Sequence, residues 1–86
     1  MYYVYIIFSD TLDKKYIGRS NDLRSRLKEH NRGSSSFTNR GKPWRLIYYE
    51  AFISKKDAIR EELFLKSGQG RERLKYLLTE STGRVA

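Results

Sequence analysis

Three polar side chains fall where helical periodicity calls for apolar ones. The apolar residues of an amphipathic helix recur at about 100° per residue. Between Lys55 and Lys66, Ala58, Ile59, Leu63 and Leu65 define such a stripe. Glu62 lies near its middle, about 40° from Ala58 and about 60° from Ile59, while Glu61 reads as an ordinary surface carboxylate pointing away. A carboxylate turned toward a core must be paired, protonated or metal-bound, because an isolated buried charge is too costly. Glu62 is therefore either half of a buried ion pair with an Arg or Lys, or a ligand for a hard divalent cation, which favours carboxylate oxygen. In the preceding helical segment Leu23 and Leu27 mark the buried side, with His30 about 20° and Arg26 about 60° from Leu23. Arg26 and His30 are four apart and so adjacent on the helix surface. They gain from each other only with an anion or carboxylate between them. The alternative for His30, the only histidine, is a satisfied surface position at the helix edge.

The tyrosines add a second signal. A strand from Tyr2 to Phe8 puts Tyr3, Tyr5 and Ile7 on one face and Val4, Ile6 and Phe8 on the other. Tyr16 and Gly18 share a face of the next strand. Seven tyrosines in 86 residues is a high count, and phenols near a sheet centre need partners. They either reach solvent at an edge or converge on a reacting phosphate, one as proton acceptor. A tyrosine base needs its pKa drawn below the usual value of about 10, which Arg26 or a metal would do. The motifs of other chemistries are absent: there is no Walker A loop, no G-x-S-x-G and no HExxH. One histidine and no cysteine exclude multi-His and thiolate metal sites and any disulfide framework.

The elements that must position these groups follow from pattern and punctuation. Tyr2–Phe8 is β-branched and aromatic and reads as a strand covered on both faces. After a turn over residues 9–14, Lys15–Arg19 is the second arm of a hairpin, and Gly18 within it marks a bulge or a close approach. Ser20 or Asn21 caps a helix running to about Arg32, with Gly33 just past its end. Residues 33–43 form a loop, and Trp44–Phe52 is a third strand. Ser54 and Asp57 form a capping box opening a helix over residues 55–66. Gly68 and Gly70 break the chain before a short helix, Glu72–Leu78, and a polar tail, Thr79–Ala86. The fold class is α+β, a three-stranded antiparallel sheet flanked by helices in the order β-β-α-β-α-α, with residues 1–78 as one domain.

Size and charge narrow the function. Eighty-six residues bury one small core, which excludes a two-domain enzyme with a cofactor cleft. The apolar run at the N-terminus is too short to span a bilayer and lacks a signal peptide's features, so the expected location is the cytoplasm, with no membrane partner. The net charge of +8 is localised: residues 14–45 hold 10 basic and 2 acidic side chains, the remainder 8 of each. Such asymmetry is the footprint of a phosphate-backbone binder or, more plainly, of a solvated face. Arg19, Arg24, Lys28, Arg40 and Lys42 are the candidate nucleic-acid contacts.

Tyr3-Val4-Tyr5 followed by Tyr16-Ile17-Gly18, then the segment Arg19 to His30, Trp44 to Glu50 and Ala58 to Lys66, resemble a GIY-YIG nuclease domain over residues 2 to about 78. The likeness is to the small stand-alone members related to the N-terminal domain of the UvrC subunit of bacterial excision repair. It implies metal-dependent hydrolysis of a phosphodiester in one nucleic-acid strand, DNA before RNA, by a monomer or weak homodimer. Carried over by position, Glu62 would hold a single Mg²⁺ or Mn²⁺ and Arg26 would stabilise charge on phosphorus. Tyr5 would accept the proton of the attacking water, Tyr16 would position that water or the phosphate, and His30 would assist Tyr5 or bind phosphate. Two features depart from the family pattern: the first motif is YVY, keeping only its final tyrosine, and no asparagine follows Asn39, Gln69 being the nearest amide. The alternative function is a non-catalytic DNA- or RNA-binding module that retains the fold.

Overall fold

The computed structural model describes residues 1–33 and 36–78. Ser34, Ser35 and the tail Thr79–Ala86 lie outside the described residues. The elements are β1 (Tyr2–Ser9), β2 (Lys14–Ser20), α1 (Leu23–Arg32), α2 (Ser36–Asn39), β3 (Trp44–Phe52), α3 (Lys55–Lys66) and α4 (Gly68–Leu77). The sheet is antiparallel throughout, in the order β2-β1-β3. β1 is therefore central, which explains its unbroken apolar run: its alternating side chains enter two different cores. Val4 and Ile6 pack with Ala58, Leu65, Leu74 and Leu78 on the α3/α4 face. Tyr5 and Ile7 pack with Trp44, Leu23 and Leu27 on the α1 face.

Several local readings are corrected. The bulge lies not at Gly18 but between β1 and β3, where Ile6 faces Tyr48 and Ile7 faces Leu46, leaving Ile47 extra. The β1–β2 register is regular past Gly18, so its close approach is to a side chain. Asp22, not Ser20 or Asn21, caps α1, its carboxylate accepting from the Ser25 amide at 3.1 Å. Ser20 is the last residue of β2. The loop over 33–43 contains the helical turn α2 and is anchored through Trp44, whose indole N–H donates to the Thr38 carbonyl at 2.7 Å. Ser54 caps α3 through its carbonyl alone, without the side-chain bond of a capping box, and Asp57 pairs with Arg60.

The final helix starts at Gly68 rather than Glu72, capped by the Ser67 hydroxyl, which accepts from the Gly70 amide at 3.2 Å. Gly70 is thus a packing residue and not a chain break: a Cβ there would stand 2.0 Å from the Phe64 carbonyl oxygen and 2.6 Å from Leu65 Cα.

The buried face of α3 is narrower than the sequence pattern implies. Ala58 and Leu65 are fully buried, whereas Leu63 is exposed, being about 140° from Ala58 at the helical turn angle. Measured from that face, Glu62 and Glu61 flank it on opposite sides. Glu61 is accordingly no surface carboxylate: its side chain is 18% exposed and pairs with Arg73 of α4. Glu50 lies opposite Val4 on the same sheet face, with Oε1 buried and unpartnered among the described residues. Burial first, then the neighbouring Glu61 carboxylate, push Glu50 up to about 7, with Arg73 opposing.

The folded state therefore keeps a proton on Glu50 that the unfolded chain releases in the ordinary carboxylate range, and this group's contribution to stability falls as pH rises toward 7. Glu50→Gln is expected to raise the melting temperature at pH 8 relative to wild type and to change it little at pH 4. A difference that is the same at both pH values would show that Glu50 is not proton-linked to folding.

Candidate active site

The site is built on Tyr5, at the middle of the central strand and directly opposite Gly18 of β2. Its ring crosses β2 where that strand has no side chain: a Cβ on Gly18 would stand 2.4 Å from the Tyr5 hydroxyl and 2.6 Å from Cζ. The hydroxyl reaches His30 Nε2 at 2.8 Å. His30 comes from the last turn of α1 and is 1% exposed, so the expectation of a surface histidine is corrected. α1 lies on this sheet face through Leu23 and Leu27, and its helical rise carries residue 30 inward. Tyr16 stands edge-on to the His30 ring with centroids 5.0 Å apart, and 6.4 Å from the Tyr5 ring.

Arg26, one turn before His30, extends its guanidinium beside the Tyr5 phenol. Its Nη1 donates to Glu29 Oε2 at 2.7 Å. Glu29 is a carboxylate the Arg26–His30 pair called for, and its i,i+3 spacing from Arg26 was the available signal. Burial, then Arg26, hold His30 below its ordinary value, so the imidazole is neutral near pH 7. Burial pushes the Tyr5 phenol up to about 12, against the lowering effect of Arg26. With both partners neutral, the phenol donates to Nε2 and the imidazole proton resides on Nδ1, an assignment inferred from the hydrogen bond. Nδ1 itself is buried without a partner among the described residues.

Glu62 adjoins this cluster: its charge acts, as the least of the contributions, on the Tyr5 phenol. Its side chain is 16% exposed. Oε1 accepts from Arg19 Nε at 3.1 Å and Oε2 from Lys66 Nζ at 2.9 Å. Burial alone would push the carboxyl up, but Lys66 and Arg19 together hold it below its ordinary value. The ion-pair reading of Glu62 is thus what the fold contains. Lys66 was legible as an i,i+4 neighbour, whereas Arg19, 43 positions away, was not. Arg19 is in consequence a partner of Glu62 as well as a basic residue. Arg24 and Lys28 project from the exposed side of α1, and Arg40 and Lys42 are exposed beyond α2.

A profile of the GIY-YIG catalytic domain matches residues 1–75. The chain belongs to the GIY-YIG family. Among relatives, a UPF0213 protein of Clostridium perfringens is 33% identical over 82 residues, covering 94% of this chain and 87% of that protein. A UPF0213 protein of Pediococcus acidilactici is 35% identical over 81 residues, covering 88% and 80%. The solution NMR structure of a UPF0213 protein from Bacillus halodurans superposes with a TM-score of 0.55 at 36% identity, covering 90% of this chain and 85% of that one. Membership places the chain in a nuclease superfamily whose members generally depend on a divalent metal and act on nucleic acid. No helix among the described residues is long and apolar enough to cross a membrane.

The GIY-YIG donor set fits a hard cation in one respect: Glu62 is ionised and carries two oxygens. No group of three or more His, Asp or Glu side chains that could hold an ion occurs among the described residues. Any ion would thus take most of its ligands from water and phosphate, as Mg²⁺ commonly does. It would also have to displace Arg19 and Lys66, whose side chains are 33% and 49% exposed and free to swing into solvent.

Gly18→Ala tests the geometry of the cluster. The added methyl forces the phenol off His30, and overpacking of this kind destabilises by about 1–3 kcal/mol. The protein is expected to fold with a lowered melting temperature. Its His30 ring ¹⁵N shifts should move to those of Tyr5→Phe. Wild-type shifts in Gly18→Ala would show that the phenol had not been displaced.

Proposed function

We propose that this GIY-YIG protein is a divalent-metal-dependent endonuclease that nicks one strand of DNA. The observation that carries the reading is the hydrogen bond from Tyr5 to the neutral, buried His30 beside the Arg26 guanidinium. A phenol pushed up to about 12 is a poor base by itself. Paired with a neutral imidazole, it can accept a proton from water while handing its own to Nε2. The oxygen–phosphorus bond forms as the proton leaves the water. The bond from phosphorus to the departing sugar oxygen breaks, and that oxygen takes a proton from solvent. The charge that appears in this pocket is an imidazolium, with Glu29 near enough to favour it. Tyr5 and His30 are each 1% exposed, so the attacking water has to reach the phenol past the more exposed Arg26 and Tyr16. The hydrogen bond from the phenol to Nε2 favours the assisting role for His30 over phosphate binding.

Arg26 spends one N–H on Glu29. Its remaining donors face charge that develops on the non-bridging oxygens, where a preorganised guanidinium is most effective. Tyr16, at the edge of the same cluster, positions the water or the phosphate. Glu62 would hold Mg²⁺ or Mn²⁺, which when bound supplies further charge neutralisation at the phosphate. Arg24, Lys28, Arg40 and Lys42 would contact the backbone of the strand.

The second reading, a binding module that does not cleave, is favoured by one observation: both Glu62 oxygens are engaged by side-chain cations. Incubation with supercoiled plasmid and branched DNA, with and without Mg²⁺ or Mn²⁺, separates the two. Wild type is expected to nick only with metal. Glu62→Ala should abolish nicking with the fold retained by circular dichroism, and Arg26→Ala should slow it on the order of 10²-fold. Salt-sensitive binding without metal-dependent nicking would establish the binding module instead.

A further inference from the structure

The nuclease reading leaves one basic hollow unused. It is a groove of about 600 Å³ between the outer edge of β2 and α4. Half-buried Ile17 and Tyr16 line it over the buried Leu74, together with Lys15, Lys66, Arg71 and Lys75. Lys66 and Lys75 are shared with Glu62 and Glu72. Lys15 and Arg71 have no carboxylate partner among the described residues. One end of the groove is Tyr16, whose ring lies against His30 in the catalytic cluster. The charge is not obvious along the chain, because three of these four cations fall where acidic residues balance basic ones. Folding pairs the acidic side chains of this part of the chain with particular cations and leaves Lys15 and Arg71 at the groove without a carboxylate among the described residues.

We propose that this groove is the channel for an unpaired nucleic-acid strand continuing from the phosphate held at Arg26, so that the substrates are single-stranded or branched. The direction of the strand rests on the nuclease reading; the chemistry of the groove does not. Uncompensated cations at a rim fit a phosphate backbone. Tyr16, with Ile17 beside it, fits the face of a base, which is how single strands are held without sequence preference. A duplex stacks its bases inside and would bring only phosphates to the groove, gaining nothing from Tyr16 and Ile17.

The test measures binding of full-length protein to fluorescent oligo(dT) of about 15 nucleotides and to a blunt duplex of that length, across a salt series. The variant is Lys15→Glu/Arg71→Glu, which changes two exposed side chains and whose fold is checked by thermal melting. Affinity for oligo(dT) is expected to fall at least about tenfold. Its salt slope should shrink by about 1.4, the value for two lost single-strand phosphate contacts, while duplex affinity changes less than about threefold. If charge reversal impairs folding, Lys15→Gln/Arg71→Gln is read in its place, with the same slope change expected. Unaltered oligo(dT) binding, or an equal loss on the duplex, overturns the proposal. Nicking by wild type is scored in parallel. Nicking with unaltered oligo(dT) binding defeats the groove and leaves the nuclease reading standing. Lost oligo(dT) binding in a protein that never nicks defeats the nuclease reading and leaves the groove.

Discussion

The hydrogen bond between the Tyr5 hydroxyl and His30 Nε2 is the contact around which the molecule is arranged. It lies in the core of a very small protein, and each surrounding element is constrained by it. β1 must be the central strand so that Tyr5 is covered. β2 must carry glycine at position 18 so that the ring has room. α1 must lie on the same face with its last turn directed inward, and the leucines of its first turns hold it there. The arrangement has an energetic cost, since an unpartnered buried ring nitrogen forfeits about 1–3 kcal/mol. Trp44, Ile7 and the two leucines supply the packing that tolerates it, so the core of this face exists to hold a polar pair dry.

The electrostatics follow from that dryness. Burial keeps both members of the pair neutral at rest, and Arg26 opposes burial on the phenol while reinforcing it on the imidazole. A proton taken up by the pair is therefore held against the field of Arg26, with Glu29 favouring the imidazolium. Glu62 follows a different logic. Its partial burial is offset by two cations, one on each oxygen, which keeps it ionised where desolvation would protonate it. One divalent ion carries the charge of those two side chains together. Exchange of Arg19 and Lys66 for such an ion would leave the carboxylate's charge balance unchanged, and the displaced side chains, both partly exposed, would become available to phosphate.

How much of this was legible in the sequence depended on the range of each interaction. The strands, and the helices over 23–32 and 55–66, were readable because periodicity is local, although how each helix is capped at its N-terminus was not. Arg26, His30 and Glu62 stood out because polar groups interrupted an apolar stripe, and that signal needs only one helix. The Tyr5–His30 bond spans 25 residues and Arg19–Glu62 spans 43, and no local pattern carries such pairings. Glu61 was misread because the stripe was drawn too wide: Leu63 was counted as core, which shifted the apparent centre of the face. Gly70 was read as punctuation because a helix-breaking residue and a close-packing residue have the same letter. Only the carbonyl of Phe64 lying 2.0 Å from the missing Cβ distinguishes them.

The same limit applies to charge. Counted along the chain, residues 14–45 carry the whole excess and the remainder balances, which would confine any anion-binding surface to β2, α1 and the loop after it. In the fold, acidic side chains outside that stretch are spent on particular cations: Asp57 on Arg60, Glu61 on Arg73 and Glu72 on Lys75. Arg71 is left without one among the described residues, and it meets Lys15 across the edge of β2. Basic charge therefore flanks Tyr5 and Tyr16 on two sides, from α1 and from the groove beside α4. A nucleic-acid strand passing Tyr16 would meet cations on both sides, and β2, an edge strand that carries Lys15, Tyr16 and Arg19, presents such a path.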